Sequence, residues 1–500
     1  MSRGRDRFRL PHAANTRTVD RTASQAYPQS TISPMTKRAS LAPVLAIAAA
    51  GLVTLHAAQT PRAVDLVIAN GIVVTLDAER RVLERGSVAI AGSTIAGVGP
   101  ADQIAKAFKG KTTIDASGRV VMPGLINTHT HAPMVLYRGL ADDLALMDWL
   151  QKYIFPAEAK TVSPAFVRTG TNLAALEMIR SGTTTYVDMY YFEEEIARAT
   201  KAAGLRGVLG QSVIEFPVAD AKTPAAALAR AETFIREFQK DELITPAVAP
   251  HAVYTNDGAT LTAARDLALK YDVPLLIHLA ETDAENALSL ERHKARPVAA
   301  LTALDFWKAH VIAAHGVWIQ PDEIAVLKAN HVGVSHNPES NMKLASGTAP
   351  VLQYLEAGVA VGLGTDGAAS NNDLDMFEAM RQAAFLHKLT SRDPRAVSAR
   401  TALEMATIGG ARVIGQEKRL GSLETGKLAD LLIVRMDQPR QTPMYDPVSH
   451  LVYVTRGDDV RTTIVNGKVL MKDRQVLTLN RAAVLTEARL LAAKVKDAVK

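Results

Sequence analysis

At 500 residues, 48% hydrophobic and 22% charged, the chain has the composition of a globular protein with room for one large α/β domain and a smaller companion. Its net charge of +6 resides in the first 58 residues, where eight Lys/Arg face only Asp6 and Asp20. The remainder is neutral, so nothing in the balance suggests the basic face a nucleic-acid partner needs, and the absence of cysteine excludes disulfides and thiolate metal ligands.

In chain order, residues 1–34 are polar, Arg-rich and aperiodic. Met35 to Gln59 (MTKRASLAPVLAIAAAGLVTLHAAQ) has a short basic start, an apolar run and small residues near its end. That layout predicts a leader over 1–58 whose signal peptide, about 35–58, is cleaved after Ala57 or Ala58. The expectation is a periplasmic or secreted protein with no stable membrane insertion. The competing expectation is an uncleaved anchor, because the apolar run approaches spanning length.

Residues 63–122 begin with short β-rich runs separated by turn signals at Asn70-Gly71 and Ala91-Gly92, and predict a small antiparallel sheet. The same texture returns over 421–480, with a turn at Asn466-Gly467. Two such segments flanking one long middle predict a composite β domain built from both ends. The middle, 123–420, repeats a short apolar run followed by a helical stretch about eight times, which predicts a (β/α)8 barrel. Residues 481–500 have Ala and Leu at helical spacing between charges, and predict an outer helix.

A barrel places functional residues where strands end. His129 and His131 follow RVVMPGLI, His251 follows TPAVAP, and His278 follows VPLLI with Glu281 three residues on. His315 follows HVIAA, His336 follows HVGVS, and Asp366 follows VAVGLGT. One histidine at a strand end is most often a core or loop residue; six of the chain's 13, joined by two carboxylates, point to a common site. Residues two apart on a strand share a face, so the rings of His129 and His131 look the same way.

Three imidazoles and a carboxylate (His129, His131, His278 and Asp366) make a mononuclear catalytic metal site with room for water. The donor set suits Zn²⁺, with Fe²⁺, Mn²⁺ or Ni²⁺ as substitutes, and such an ion lowers the pKa of a bound water to about 7. Glu281 stands where a proton shuttle is wanted; the bland alternative is a solvated carboxylate beside Asp283 and Glu285. His315 is positioned to hydrogen-bond the water, or else to serve as a fourth nitrogen ligand.

The stretches PGLINTHTHAPMVLYRGLADDLALMDWLQKYIFPAEAK, APHAVYT, IHLAET, AAHGVWI, VSHNPESNMKLASG and LGTDGAASNNDLDMF are long and specific. Over about 64–475 the chain resembles the amidohydrolase superfamily, and most closely its methylthioadenosine/S-adenosylhomocysteine deaminases, relatives of triazine chlorohydrolases and guanine deaminases. The resemblance implies a barrel with a composite β-sandwich domain and one metal per subunit, and a small-molecule substrate deaminated at an aminopurine ring. It puts the metal on His129, His131, His278 and Asp366 and catalysis on Glu281, His315 and Asp366. Glu158 and His251, with Glu281, become substrate contacts, and a homo-oligomer is implied. Gln211 stands where these deaminases commonly carry an arginine, the nearby arginine being Arg206. Two other readings are carried: hydrolysis of another N-heterocycle such as a triazine, guanine or cyclic amide, and a non-catalytic binding protein on the same fold.

Overall fold

The computed structural model describes residues 60–498; the leader and cleavage site expected from the sequence lie outside the described residues. Among those described, no helix is long and apolar enough to cross a membrane.

Five strands precede the barrel: β1 (Arg62–Val74), β2 (Val82–Ala91), β3 (Thr94–Pro100), β4 (Phe108–Asp115) and β5 (Arg119–Pro123). Eight form it: β6 (Leu125–Thr130), β7 (Thr183–Tyr190), β8 (Arg206–Val213), β9 (Ile244–Pro250), β10 (Leu275–Leu279), β11 (Val311–His315), β12 (Gly333–His336) and β13 (Ala360–Leu363). Four follow it: β14 (Leu431–Arg435), β15 (Val460–Val465), β16 (Lys468–Lys472) and β17 (Gln475–Val476). Strands β6 to β13 close into a parallel barrel in sequence order, and helices fill the crossovers.

The remaining strands join into one nine-stranded mixed sheet in which β5 from the N-terminal part pairs with β14 from the C-terminal part. The sheet is not purely antiparallel as the sequence suggests. β1 is long enough to take β4 alongside its first half and β5 alongside its second, both parallel. Asn70-Gly71 is not a turn between strands either. It is an irregularity inside β1, where Asn70 takes a left-handed φ of 61° and the pairing with β2 shifts register. Ala91-Gly92 is the expected turn between β2 and β3.

The apolar run RVVMPGLI is shared between the two sheets. It breaks after Pro123, leaving β5 in the composite domain and β6 in the barrel. A buried ion pair reinforces this junction: Arg206, at the start of β8, reaches Asp430, ahead of β14, at 3.0 Å. The final helix, Arg481–Ala498, packs against helices Phe155–Thr161 and Pro164–Ser181 on the outside.

Side-chain alternation orients the rim. In β10, Leu275, Ile277 and Leu279 join the core shared with the helices, while Leu276 joins the barrel interior. His278 therefore points inward, two residues beyond Leu276.

Candidate active site

The strand ends bring the expected residues together. His129 Nε2 and His131 Nε2 each lie 3.4 Å from Asp366 Oδ1, and His278 Nε2 lies 3.3 Å from His131 Nε2. Donors around one tetrahedral ion with bonds of about 2.0–2.1 Å are separated by about 3.3–3.4 Å, so these three separations fit a single cation. His129 Nε2 is sealed from solvent and has no hydrogen-bond partner, the signature of a lone pair reserved for something else. The far nitrogens of two other rings are occupied: His131 Nδ1 donates to the Met189 carbonyl at 2.7 Å and His278 Nδ1 to the His251 carbonyl at 2.8 Å. That fixes both Nε2 atoms as lone pairs facing the centre.

Electrostatics agree. Burial holds the His129 ring down to about 4 and His278 well below the usual histidine range, so both are neutral donors. Burial pushes Asp366 up, but His129, followed by His315 and His131, outweighs it and keeps the carboxylate ionised. Ser340 fixes it by donating to Oδ2 at 2.7 Å.

Glu281 is only 3% exposed, which removes the solvated-carboxylate alternative. Burial first, and the Asp366 charge second, raise its pKa well above the ordinary value, which favours the protonated form. Its neighbour Glu285 is also buried, and both Glu285 oxygens accept backbone N–H groups, from Ala280 at 2.9 Å and Glu281 at 2.8 Å. His315 Nε2 stands 3.7 Å from Glu281 Oε2 and 3.9 Å from Asp366 Oδ2. His129, His278 and His315 also offer nitrogens within 4.8 Å of one another. The fourth-ligand alternative thus has geometric support, although His315 lies farther from Asp366 than His129 and His131 do.

Three rim residues carry backbone strain: Ala280 (φ 48°), His315 (φ 74°) and Asp366 (φ 64°) are left-handed although none is glycine. Such conformations cost roughly 1–3 kcal/mol each and cluster at functional sites. For His315 the consequence is visible. The preceding alternate residues Val311 and Ala313 face the helices, and the turn at His315 brings its ring back to the mouth. Gly364 is required by closeness, since a Cβ there would meet Ser335 Oγ at 2.7 Å and the His129 amide at 2.9 Å.

The pocket above the cluster is lined by Met134, Trp149, Phe155, Tyr190, Tyr254 and Leu344, with Glu158 and His251 in its wall. Glu158 is 6% exposed, not a helix-surface residue; Tyr190 donates to it at 2.6 Å and Tyr191 at 3.4 Å. Burial raises its pKa to about 7. His251 contributes its ring to the wall, with Nδ1 3.1 Å from Thr255 Oγ1.

Three residues singled out from sequence lie elsewhere. His336 ends β12 but faces His387, with their Nε2 atoms 3.1 Å apart. Gln211 donates to Asp220 at 2.9 Å and accepts from the Glu193 amide, leaving Ser212 to line the pocket at that strand. Arg206 is the junction residue bound to Asp430. The sequence reading missed Ser340, Asn341, Glu285 and Tyr190, each of which acts by holding another residue; the NPESN run between β12 and β13 was the available signal for the first two.

An eight-stranded parallel barrel with a histidine–carboxylate cluster at its strand ends defines the metal-dependent barrel hydrolases as a class. Residues 120–470 match the profile of the Amidohydrolase family, and the chain belongs to that family. It is 49% identical to a 5-methylthioadenosine/S-adenosylhomocysteine deaminase of Syntrophobacter fumaroxidans over 86% of this chain and 98% of that protein. It is 46% identical to a 5'-deoxyadenosine deaminase of Methanosarcina mazei, over 85% and 97%. Among solved structures, an adenosine deaminase from Xanthomonas campestris with bound Zn superposes with a TM-score of 0.85 at 39% identity, covering 87% of this chain and all of that one.

Proposed function

We propose that the chain hydrolytically deaminates an adenine-type nucleoside such as 5-methylthioadenosine, S-adenosylhomocysteine or adenosine, releasing ammonia. The observation that carries this reading is the placement of the buried Glu281 beside His315 and Asp366, in one pocket with the histidine cluster. The deaminases among its relatives support the substrate class. His129, His131, His278 and Asp366 would hold one Zn²⁺ per subunit, with Fe²⁺, Mn²⁺ or Ni²⁺ as substitutes. An ion held there supplies the Lewis acidity that makes water nucleophilic at neutral pH.

The chain's own residues do the rest. Glu281 delivers its proton to the ring nitrogen beside the amino-bearing carbon as water adds to that carbon. Asp366, with His315 at its side, takes the proton that the water sheds. Collapse returns the hydroxyl proton to Glu281 and passes the Asp366 proton to the departing amine, so the products are a ring carbonyl and ammonia. Glu158, His251 and Glu281 line the same pocket; in this reading Glu158 would face the ribose hydroxyls, Glu281 would contact the purine and His251 would close the wall beside it.

An ammonia-release assay over adenosine, 5'-deoxyadenosine, 5-methylthioadenosine, S-adenosylhomocysteine, guanine and triazines tests the reading. Turnover of an adenine nucleoside is expected. Turnover confined to guanine or a triazine overturns it. Export is part of the same proposal, supported by the leader's sequence and tested by N-terminal sequencing of protein recovered from the producing cells. So is self-association, which size-exclusion chromatography with light scattering tests.

A further inference from the structure

The active-site pocket holds only about 60 Å³ of free space. At about 10–15 Å³ for each water that is room for a few waters, whereas pockets for small molecules run to about 300–1,000 Å³. A nucleoside therefore enters only if part of the wall moves. Much of the wall sits at barrel strand ends, but Leu146, Trp149, Leu150, Ile154 and Phe155 all come from the connection between β6 and β7. Residues 140–154 of that connection are loosely held. Gly139 (φ 71°) and Asp143 (φ 62°) bend its start in the left-handed region, and it ends in one turn of π-helix, Leu150–Ile154. Such turns are rare and frequent at functional sites. On either side the chain is fixed again: the Tyr137 and Thr161 hydroxyls bond to each other at 2.7 Å, and Tyr190 holds Glu158.

Among the described residues, every hydrogen bond or ion pair from 140–154 to a distant part of the chain starts at Asp142. It pairs with Lys343 and accepts from the Asn372 side-chain amide at 3.4 Å. Lys343 ends helix Pro338–Lys343, whose Ser340 donates to Asp366 and whose Asn341 meets His315. It also donates to Asn372 Oδ1, on the chain that follows Asp366. One short helix thus holds two residues of the site and the polar tether of the covering segment. Trp149 Nε1 is sealed from solvent and makes no hydrogen bond. An acceptor on a bound molecule would satisfy that donor and favour the covered arrangement.

We propose that residues 140–154 form a lid over the pocket and that the Asp142–Lys343 pair is its latch. Closing over the substrate and bracing the helix behind Asp366 are then one event. Opening admits the substrate, and closing shields the reacting ring from bulk water. The size of the ligand rests on the nucleoside reading above; the movement of the lid is measured without it.

The test compares the full chain, loaded with its active-site metal, with Asp142→Asn and Lys343→Met by hydrogen exchange and steady-state kinetics. A partly exposed ion pair shifts a two-state equilibrium by about 1.5–5-fold. Amides of 146–154 should exchange faster by that factor in each variant, and no faster in the double variant. KM should rise by the same factor, with kcat changed less. Asp142→Asn acts from the lid's side, so it keeps the test valid if Lys343→Met disturbs the helix. The chain has no cysteine, so Asp142→Cys with Lys343→Cys, joined by a short reducible cross-linker, locks the lid. Locking should slow exchange over 146–154 and nearly abolish turnover, and a reductant should restore both. Full turnover by the locked protein, or unchanged exchange in Asp142→Asn, overturns the proposal. If no form turns over a purine nucleoside, the nucleoside reading fails, and exchange alone decides the lid.

Discussion

His315 Nδ1 lies 2.9 Å from Asn341 Oδ1, and this contact sets which nitrogen of the ring carries the proton. With Nδ1 donating, Nε2 faces Glu281 and Asp366 as a lone pair. The Asn337 amide nitrogen, 3.4 Å from the same Nδ1, pulls toward the opposite tautomer, and the shorter contact prevails. Asn341→Leu should therefore release the ring to the tautomer that Asn337 favours. We expect kcat to fall by about 10–100-fold, with KM and metal content nearly unchanged, checked by steady-state kinetics and elemental analysis. Asn341→Asp, which keeps the acceptor, should recover much of the loss.

Glu281→Gln removes the transferable proton and keeps the shape. The variant should bind its metal normally and lose about 10²–10⁴-fold in kcat. His131→Ala should instead lose the metal, because it removes a donor that makes two of the three short separations in the cluster. Elemental analysis alongside kinetics separates the two; a fully active Glu281→Gln would sink the proton-transfer role.

Glu285 clamps the strained turn at Ala280 by accepting both the Ala280 and Glu281 amides. Glu285→Ala leaves two buried N–H groups unpaired, at roughly 1–3 kcal/mol each. Urea unfolding should show that loss, and kcat should fall with it because Glu281 is no longer held.

The Arg206–Asp430 pair is buried on both sides, with side chains 3% and 4% exposed, and Asp430 also accepts the Asn466 amide. Asp430→Ala strands a buried guanidinium and should cost about 3–5 kcal/mol of stability. The change lies at the barrel's other end, so kcat/KM of the folded enzyme should hold. Denaturant unfolding and kinetics on the same sample check both.

Much of this was open to reading in the sequence. Strand–helix alternation announced the barrel, because a buried parallel strand must be apolar throughout and its crossover helix amphipathic. His129 and His131 stood out because two imidazoles in an apolar run have no reason to be there without a partner. The same local signals misled at Asn70-Gly71, where a turn dipeptide accommodates a left-handed irregularity inside a long strand. They were silent on Glu285, which looks like a surface residue of an acidic helix start.

The sequence by itself determined the periodicities and the chemistry of the donors, since both are properties of neighbouring residues. Only the tertiary structure decided which strand-end residues meet. His336 shares the position of His315 one strand later yet turns to His387, and Gln211 turns to Asp220. The physical reason is that a side chain's partner is chosen by packing between segments far apart along the chain, and by backbone turns such as the one at His315, which no local pattern encodes.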